Sequence, residues 1–146
     1  MGQNQKIADL LLEVIPPIMH LIRKEVRSAA KSKLTIPQLR VLAHLSRQKL
    51  SIGELAEIQG VTQPTMSKIV NGLVHKGYLD KAQSSLDRRQ QDLKLTGPGE
   101  SVLQEAKLEA KAQMSDMIGK LRIKDSEKKQ LFSALQALSD HLLDNL

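Results

Sequence analysis

Apolar residues recur at Ile7, Leu10, Leu11, Val14, Ile18, Leu21, Ile22 and Val26, with Lys, Arg, Glu and His between them, and that spacing predicts a helix with one apolar stripe. Pro16 and Pro17 fall inside it. Each proline removes an amide donor and crowds the preceding turn, so a kink or a fresh start is expected there, with Pro17 in the first turn of the second piece. A second helix is predicted from Pro37 to Arg47, carrying Leu39, Leu42, Ala43 and Leu45. Ser51 then stands three residues before Glu54, the Ser-x-x-Glu spacing of a capping box, and opens a short helix that ends at Gly60. Thr62, with Pro64 in the first turn, starts another, in which Met66, Ile69, Val70, Leu73 and Val74 form the core side until Gly77 stops it.

After Gly77 the period changes to two. Tyr78 to Ala82 and Gln91 to Leu95 are predicted strands, joined by the polar stretch Gln83 to Gln90 as a hairpin with a long basic tip. Thr96 starts a helix of roughly twenty residues ending near Gly119, and Gly97-Pro98-Gly99 reads as a turn, not as a phosphate loop, which would need a lysine. Asp125 is expected to cap a last helix carrying Leu131, Leu135, Leu138 and Leu142. The chain shows no internal repeat and no low-complexity tract.

Composition narrows the chemistry. A chain of 146 residues and 16.2 kDa suits one compact unit, with 24 leucines filling most of its interior. Cysteine is absent, which excludes disulfides, thiolate zinc sites, cysteine nucleophiles and thiol redox sensing. His20, His44, His75 and His141 have no ligand spacing, so no metal and no cofactor is expected. No run is long and apolar enough to span a membrane, Asp9 and Glu13 interrupt the first apolar stretch, and nothing marks the chain for export, so a cytoplasmic location is expected. The net charge of +6 calls for a polyanion, either nucleic acid or an anionic membrane. One Tyr, one Phe and no Trp argue against single-strand binding by base stacking, and double-stranded DNA fits better. The excess of charge is local: residues 23–49 hold eight Lys+Arg and one Glu, and residues 62–95 hold six basic and three acidic side chains. The first cluster either meets flanking phosphates or is simply solvated.

A capped short helix, a tight turn, a second helix with a polar face and a two-stranded ribbon with a basic tip form, in that order, a winged helix-turn-helix pattern. The second helix of such a module enters the major groove, so Thr62, Gln63, Thr65, Ser67 and Lys68, with Asn71 a turn further on, are the candidate DNA-binding residues. Gln63 suits base reading, because a carboxamide can be bidentate to adenine, and Lys68 suits a phosphate. Thr62 is equally readable as an N-cap alone, and Ser67 and Asn71 as solvated. Asp87, Arg88 and Arg89 complete the candidate set. They would serve in an ordinary charged turn, but at a ribbon tip an arginine can enter a narrow minor groove while the aspartate holds the guanidinium or its backbone.

Leu34-Thr35-Ile36-Pro37-Gln38-Leu39-Arg40-Val41-Leu42, the stretch Ser51 to Gly77, Lys76-Gly77-Tyr78-Leu79, Asp87-Arg88-Arg89, and Leu93-Lys94-Leu95-Thr96 with Gly99 together resemble the MarR family of bacterial and archaeal transcription regulators over residues 34–103. The resemblance implies a mainly α fold with a small two-stranded β wing. A winged helix-turn-helix part would span 34–95, with the helix-turn-helix at about 51–76 and the wing at about 78–95. Dimerisation helices at 1–33 and 96–146 would complete a single domain, 1–146. It also implies a homodimer on a pseudo-palindromic operator, usually a repressor, with Asp87 and Arg89 supporting the wing and contacting DNA. The apolar surface of the flanking helices exceeds what a small winged module covers, which independently favours a second copy. The family often responds to small organic anions or to cysteine oxidation; only the first route is open to a chain without cysteine. No nucleophile-and-base pair or carboxylate pair marks an enzyme. The alternative reading is a protein-binding adaptor built on a degenerate winged helix, against which the basic groups on both the helix and the ribbon tip argue.

Overall fold

The structure, a computed structural model, describes residues 2–29, 34–87 and 89–143. Arg88, Lys31, Lys33 and the side chain of Val26 lie outside the described residues. The elements run α1 (Gln3–Ala29), α2 (Ile36–Leu45), α3 (Ile52–Gln59), α4 (Gln63–His75), β1 (Leu79–Gln83), β2 (Gln91–Leu95), α5 (Gly97–Lys120) and α6 (Asp125–Leu143). The strands form an antiparallel pair in which Leu79 faces Leu95, Lys81 faces Leu93 and Gln83 faces Gln91. The chain forms two compact units, 1–114 and 115–146, with the boundary inside α5. It is mainly helical with a small two-stranded wing, as the sequence predicts.

The first unit is organised around one core. Leu39, Val41 and Leu42 of α2, Leu55 and Ala56 of α3, Met66, Val70 and Leu73 of α4, Leu79 and Leu93 of the two strands, and Val102, Leu103 and Ala106 of α5 are all buried together with Leu34. Burial of each leucine among them contributes about 1.5–3 kcal/mol. Leu39, Leu42, Met66, Val70 and Leu73 are positions of the predicted stripes, whereas the predicted Ala43, Leu45, Ile69 and Val74 pack partly buried against the core and Val41 enters it instead. On the ribbon, the strict alternation puts Leu79, Lys81, Leu93 and Leu95 on one face, so the sheet lays its apolar side on α2 and α4.

Four expectations are corrected in detail. α1 passes through Pro16 and Pro17 as one continuous helix, with no fresh start. Both rings fix φ near the helical value, and the amides they lack would have met the carbonyls of Leu12 and Glu13 on an exposed stretch where water replaces them. α2 ends at Leu45, not Arg47, and starts from a Thr35–Gln38 capping box. Gly97-Pro98-Gly99 is the first turn of α5, not a separate turn. Gly99 is buried there against the preceding chain, and a Cβ at this position would fall on the Tyr78 carbonyl. The Thr96 hydroxyl donates to the Gly77 carbonyl at 2.6 Å and accepts the Gly99 amide at 3.1 Å, so one side chain joins the end of α4 to the start of α5. Asp125 is the first residue of α6 and not its cap: Glu127 reaches back to the Lys124 amide at 2.7 Å, and Asp125 pairs with Lys128 at 3.7 Å.

Candidate nucleic-acid interface

The entry to α4 is set by two successive caps. Ser51 and Glu54 form the predicted box, with the Ser51 amide donating to Glu54 Oε2 at 2.7 Å and the Glu54 amide to Ser51 Oγ at 3.1 Å. α3 stops at Gly60, whose φ of 66° is a left-handed conformation that favours glycine, and the Val61 amide then closes back on the Ala56 carbonyl at 3.0 Å. Three residues separate α3 from α4, which begins at Gln63. Thr62 is its N-cap, accepting the Thr65 amide at 3.3 Å and donating its hydroxyl to Thr65 Oγ1 at 2.9 Å. The capping role weighed for Thr62 is therefore present, and Thr65 shares in it.

Met66, Val70 and Leu73 are fully buried and anchor α4, which leaves Gln63, Thr65, Lys68 and Asn71 exposed and Ser67 half-buried. Gln63, Ser67 and Asn71 lie four residues apart, so they share one stripe of the helix. That stripe runs along the wing. Gln63 and Ser67 line one cleft of about 320 Å³ with Arg89, Gln90 and Gln91, floored by Ser51, Ile52 and Gly53 at the start of α3. The Gln63 carboxamide lies over Gly53, where an added methyl would come within 3.1 Å of Nε2. Further along, Asn71 Oδ1 accepts Lys81 Nζ at 3.0 Å, tying the stripe to β1. Lys68 stands on an adjacent exposed face of the same helix.

The described residues of the wing tip are joined by local hydrogen bonds. Asp87 Oδ1 accepts the Arg89 amide at 2.9 Å, and the Asp87 carbonyl accepts the Gln90 amide at 3.0 Å. Of the two uses weighed for the aspartate, holding the backbone is the one observed. Ser84 Oγ accepts both the Leu86 and Asp87 amides at 3.3 and 3.4 Å, and the Ser84 amide donates to the Gln90 carbonyl at 3.0 Å. Lys49, at the end of the first basic cluster, pairs with Asp92 of β2 at 3.4 Å. Both partners are well exposed, so this pair contributes at most about 1 kcal/mol.

Lys81 and Lys76 escaped the sequence reading. Lys81 sits on the core-facing side of β1, and the alternation of that strand was the signal that its ammonium must meet a neighbour on α4. Lys76 Nζ donates to Gln38 Oε1 at 3.1 Å, an oxygen that also accepts the Thr35 amide, so a buried carboxamide of α2 holds the C-terminal end of α4. His44 has its pKa lowered below the ordinary 6.5, first by burial and then by Arg40 and Arg47 on the same helix. A cleft of about 730 Å³ between the end of α2, β2 and the start of α5 is lined by leucines such as Leu45 and Leu93, with Lys49, Lys94, Asp92 and Glu100 as its charged groups. Among the described residues no group of acidic and histidine side chains is arranged to hold a metal ion, and no described helix is long and apolar enough to cross a membrane.

A two-helix turn with one exposed helix, followed by a ribbon whose tip shares a cleft with it, defines a winged helix-turn-helix. Residues 32–90 match the model of the MarR family. The solved structure of YusO from Bacillus subtilis is 25% identical, with a TM-score of 0.69 over 96% of this chain and 99% of that one. Apo MarR from E. coli, 18% identical, superposes with a TM-score of 0.75 over 88% of this chain and 96% of its own. A mutant of MepR from S. aureus bound to an oligodeoxyribonucleotide, also 18% identical, gives 0.64 over 89% and 96%. No curated protein matches the chain. The segment 32–90 is thus similar to the MarR family, and the chain shares the fold of these solved structures along nearly their whole length.

Proposed function

We propose that the protein is a sequence-specific, double-stranded-DNA-binding regulator that acts as a homodimer and represses transcription from a pseudo-palindromic operator. α4 enters the major groove and the wing enters the adjacent minor groove. The observation that carries this reading is the shared cleft: Gln63 and Ser67 of α4 open onto the same space as Arg89 of the wing tip. One surface therefore offers a carboxamide for base edges and a guanidinium for a narrow groove. Thr62, Thr65, Lys68, Asn71, Asp87 and Arg88 complete the interface, with Lys68 on a phosphate and Asp87 supporting the loop. Lys81 joins them through Asn71. The complex of MepR with an oligodeoxyribonucleotide supports DNA as the partner.

Residues 34–95 form the DNA-binding part, and the helices at 1–33 and 96–146 hold the two copies together. α1 exposes Ile7, Leu10, Leu11, Val14, Ile15 and Ile18, and α6 exposes Leu131, Phe132, Leu135, Leu138 and Leu142, more apolar surface than water favours on a monomer. A two-fold pair spaces its recognition helices about one duplex turn apart, roughly 34 Å. A small organic anion is the effector. The cleft at the end of α2 has a volume usual for small ligands and a floor of leucines, with Lys94 its cation outside the Lys49–Asp92 pair and Glu100 also on its wall. The protein works in the cytoplasm, where its operator lies.

Selection of duplexes from a genomic pool by the purified protein tests the reading and yields the operator. Enrichment of an inverted repeat, with affinity falling steeply as salt rises, is the expected result. A salt-insensitive protein with no enriched sequence points instead to the adaptor. Sedimentation at micromolar concentration is expected to give twice 16.2 kDa, and a monomer rejects the dimer.

A further inference from the structure

Leu86 is 97% exposed, the most exposed large apolar side chain among those described, and it is the one apolar residue in the loop 83–90. A single exposed leucine is ordinary on a surface. Here, however, the backbone that carries it is hydrogen-bonded to its neighbours. Ser84 Oγ accepts the Leu86 and Asp87 amides, the loop closes through Ser84 and Gln90, and Asp87 holds the Arg89 amide from the same turn. The described residues of the tip thus present an exposed apolar side chain and an exposed guanidinium three residues apart, and neither folds back into the core.

We infer that Leu86 is a specificity residue of the wing: it seats its side chain in the minor groove beside Arg89 and disfavours guanine there. This rests on the proposed placement of the wing in that groove. The floor of the minor groove differs between base pairs mainly by the 2-amino group of guanine. An apolar side chain rests well on deoxyribose walls and on an adenine edge, and leucine is among the residues that minor-groove proteins place there. Against guanine it covers an N–H donor and offers no acceptor, so that donor loses its water without compensation. Arg89 attracts the wing to negative potential, and Leu86 restricts which base pairs it tolerates.

The test uses the full-length protein and duplexes selected from a random pool, with hydroxyl-radical protection locating the base pairs under the wing. At one such pair, A·T, G·C and inosine·cytosine are compared; inosine removes the 2-amino group and leaves the major-groove edge of guanine unchanged. The expected result is about ten-fold weaker binding of G·C than of the other two, and loss of that difference, to within about two-fold, in Leu86→Ser. Leu86 makes no core contact, so the variant is expected to keep the wild-type circular dichroism and melting temperature. Equal binding of the three duplexes by the wild type, or a Leu86→Ser protein that keeps the full difference, overturns the inference. So does a Leu86→Ser protein whose DNA preference is intact and whose sedimenting mass has changed, which makes Leu86 a protein contact. If the wild type selects no duplex at all, the proposed DNA-binding function itself falls; selection without discrimination at the wing removes Leu86 alone.

Discussion

Asp87 Oδ1 accepts the backbone amide of Arg89 at 2.9 Å, two residues along the chain. This is the geometry by which an aspartate side chain imitates a turn. The bond is to the backbone, so it sets the direction in which the loop carries the Arg89 side chain. Removing the acceptor in Asp87→Ala is expected to loosen the tip and weaken operator binding by roughly 1 kcal/mol, about five-fold. Asp87→Asn keeps an Oδ1 and is expected to stay close to wild type. Fluorescence anisotropy with a labelled duplex distinguishes them; equal losses in both would mean that the carboxylate charge, not the turn, matters.

Arg89 and Lys68 are expected to fail differently. Arg89→Ala should cost roughly 1–3 kcal/mol of operator affinity with the melting temperature unchanged. Lys68→Ala should weaken all sequences alike and lower the slope of log affinity against log salt by about one. Titrations at several salt concentrations, on the operator and on unrelated duplex, separate the two. A Lys68 effect confined to one base pair would reassign it as a base reader.

Gly99 has no room for a side chain, because its Cβ would meet the Tyr78 carbonyl, whereas nothing stands near Gly119 in the same helix. Gly99→Ala is expected to destabilise by about 1–3 kcal/mol or more, since the wing and α5 must part to admit the methyl. Gly119→Ala is expected to be neutral or to stabilise by up to about 1 kcal/mol through helix propensity. Urea unfolding of both variants checks the contrast.

His44 titrates below 6.5 because burial, and then Arg40 and Arg47, disfavour its charged form. The unfolded chain therefore binds more protons than the folded one in the window below 6.5. Stability attributable to this group is complete above that value and falls as pH drops through the folded pKa, levelling off beneath it. His44→Gln is expected to flatten that part of the stability–pH curve, as read from urea midpoints between pH 7 and pH 5. A variant with an unchanged curve would exclude His44 as its source.

Local signals were enough for most of the winged part. Ser51 and Glu54, Gly60, and Thr62 act within a few residues of themselves, and each cap forms as its spacing predicts. The apolar stripes of α2 and α4 and the alternation of β2 likewise belong to single elements, and Leu39, Leu42, Met66, Val70, Leu73 and Leu93 from them lie in the observed core. The errors arise where a segment's state depends on something outside it. Gly97-Pro98-Gly99 has turn composition, but Thr96 and the close approach of Tyr78 draw it into α5. Pro16 and Pro17 read as a break, yet they cost only amides whose acceptors face water.

The sequence by itself determined the order of elements, the caps of α3 and α4, the basic charge of the helix and the wing, and the resemblance to the MarR family over residues 34–103. Tertiary structure alone decided which of those groups meet. Gln63 and Ser67 share a cleft with Arg89, Asn71 is tied to Lys81, and Gln38 holds Lys76, across separations from 10 to 38 residues for the two bonded pairs. The physical reason is range. Capping and periodicity are set by hydrogen bonds and burial within a turn or two of chain, whereas these pairings follow from how the ribbon packs on α2 and α4, which no local pattern encodes.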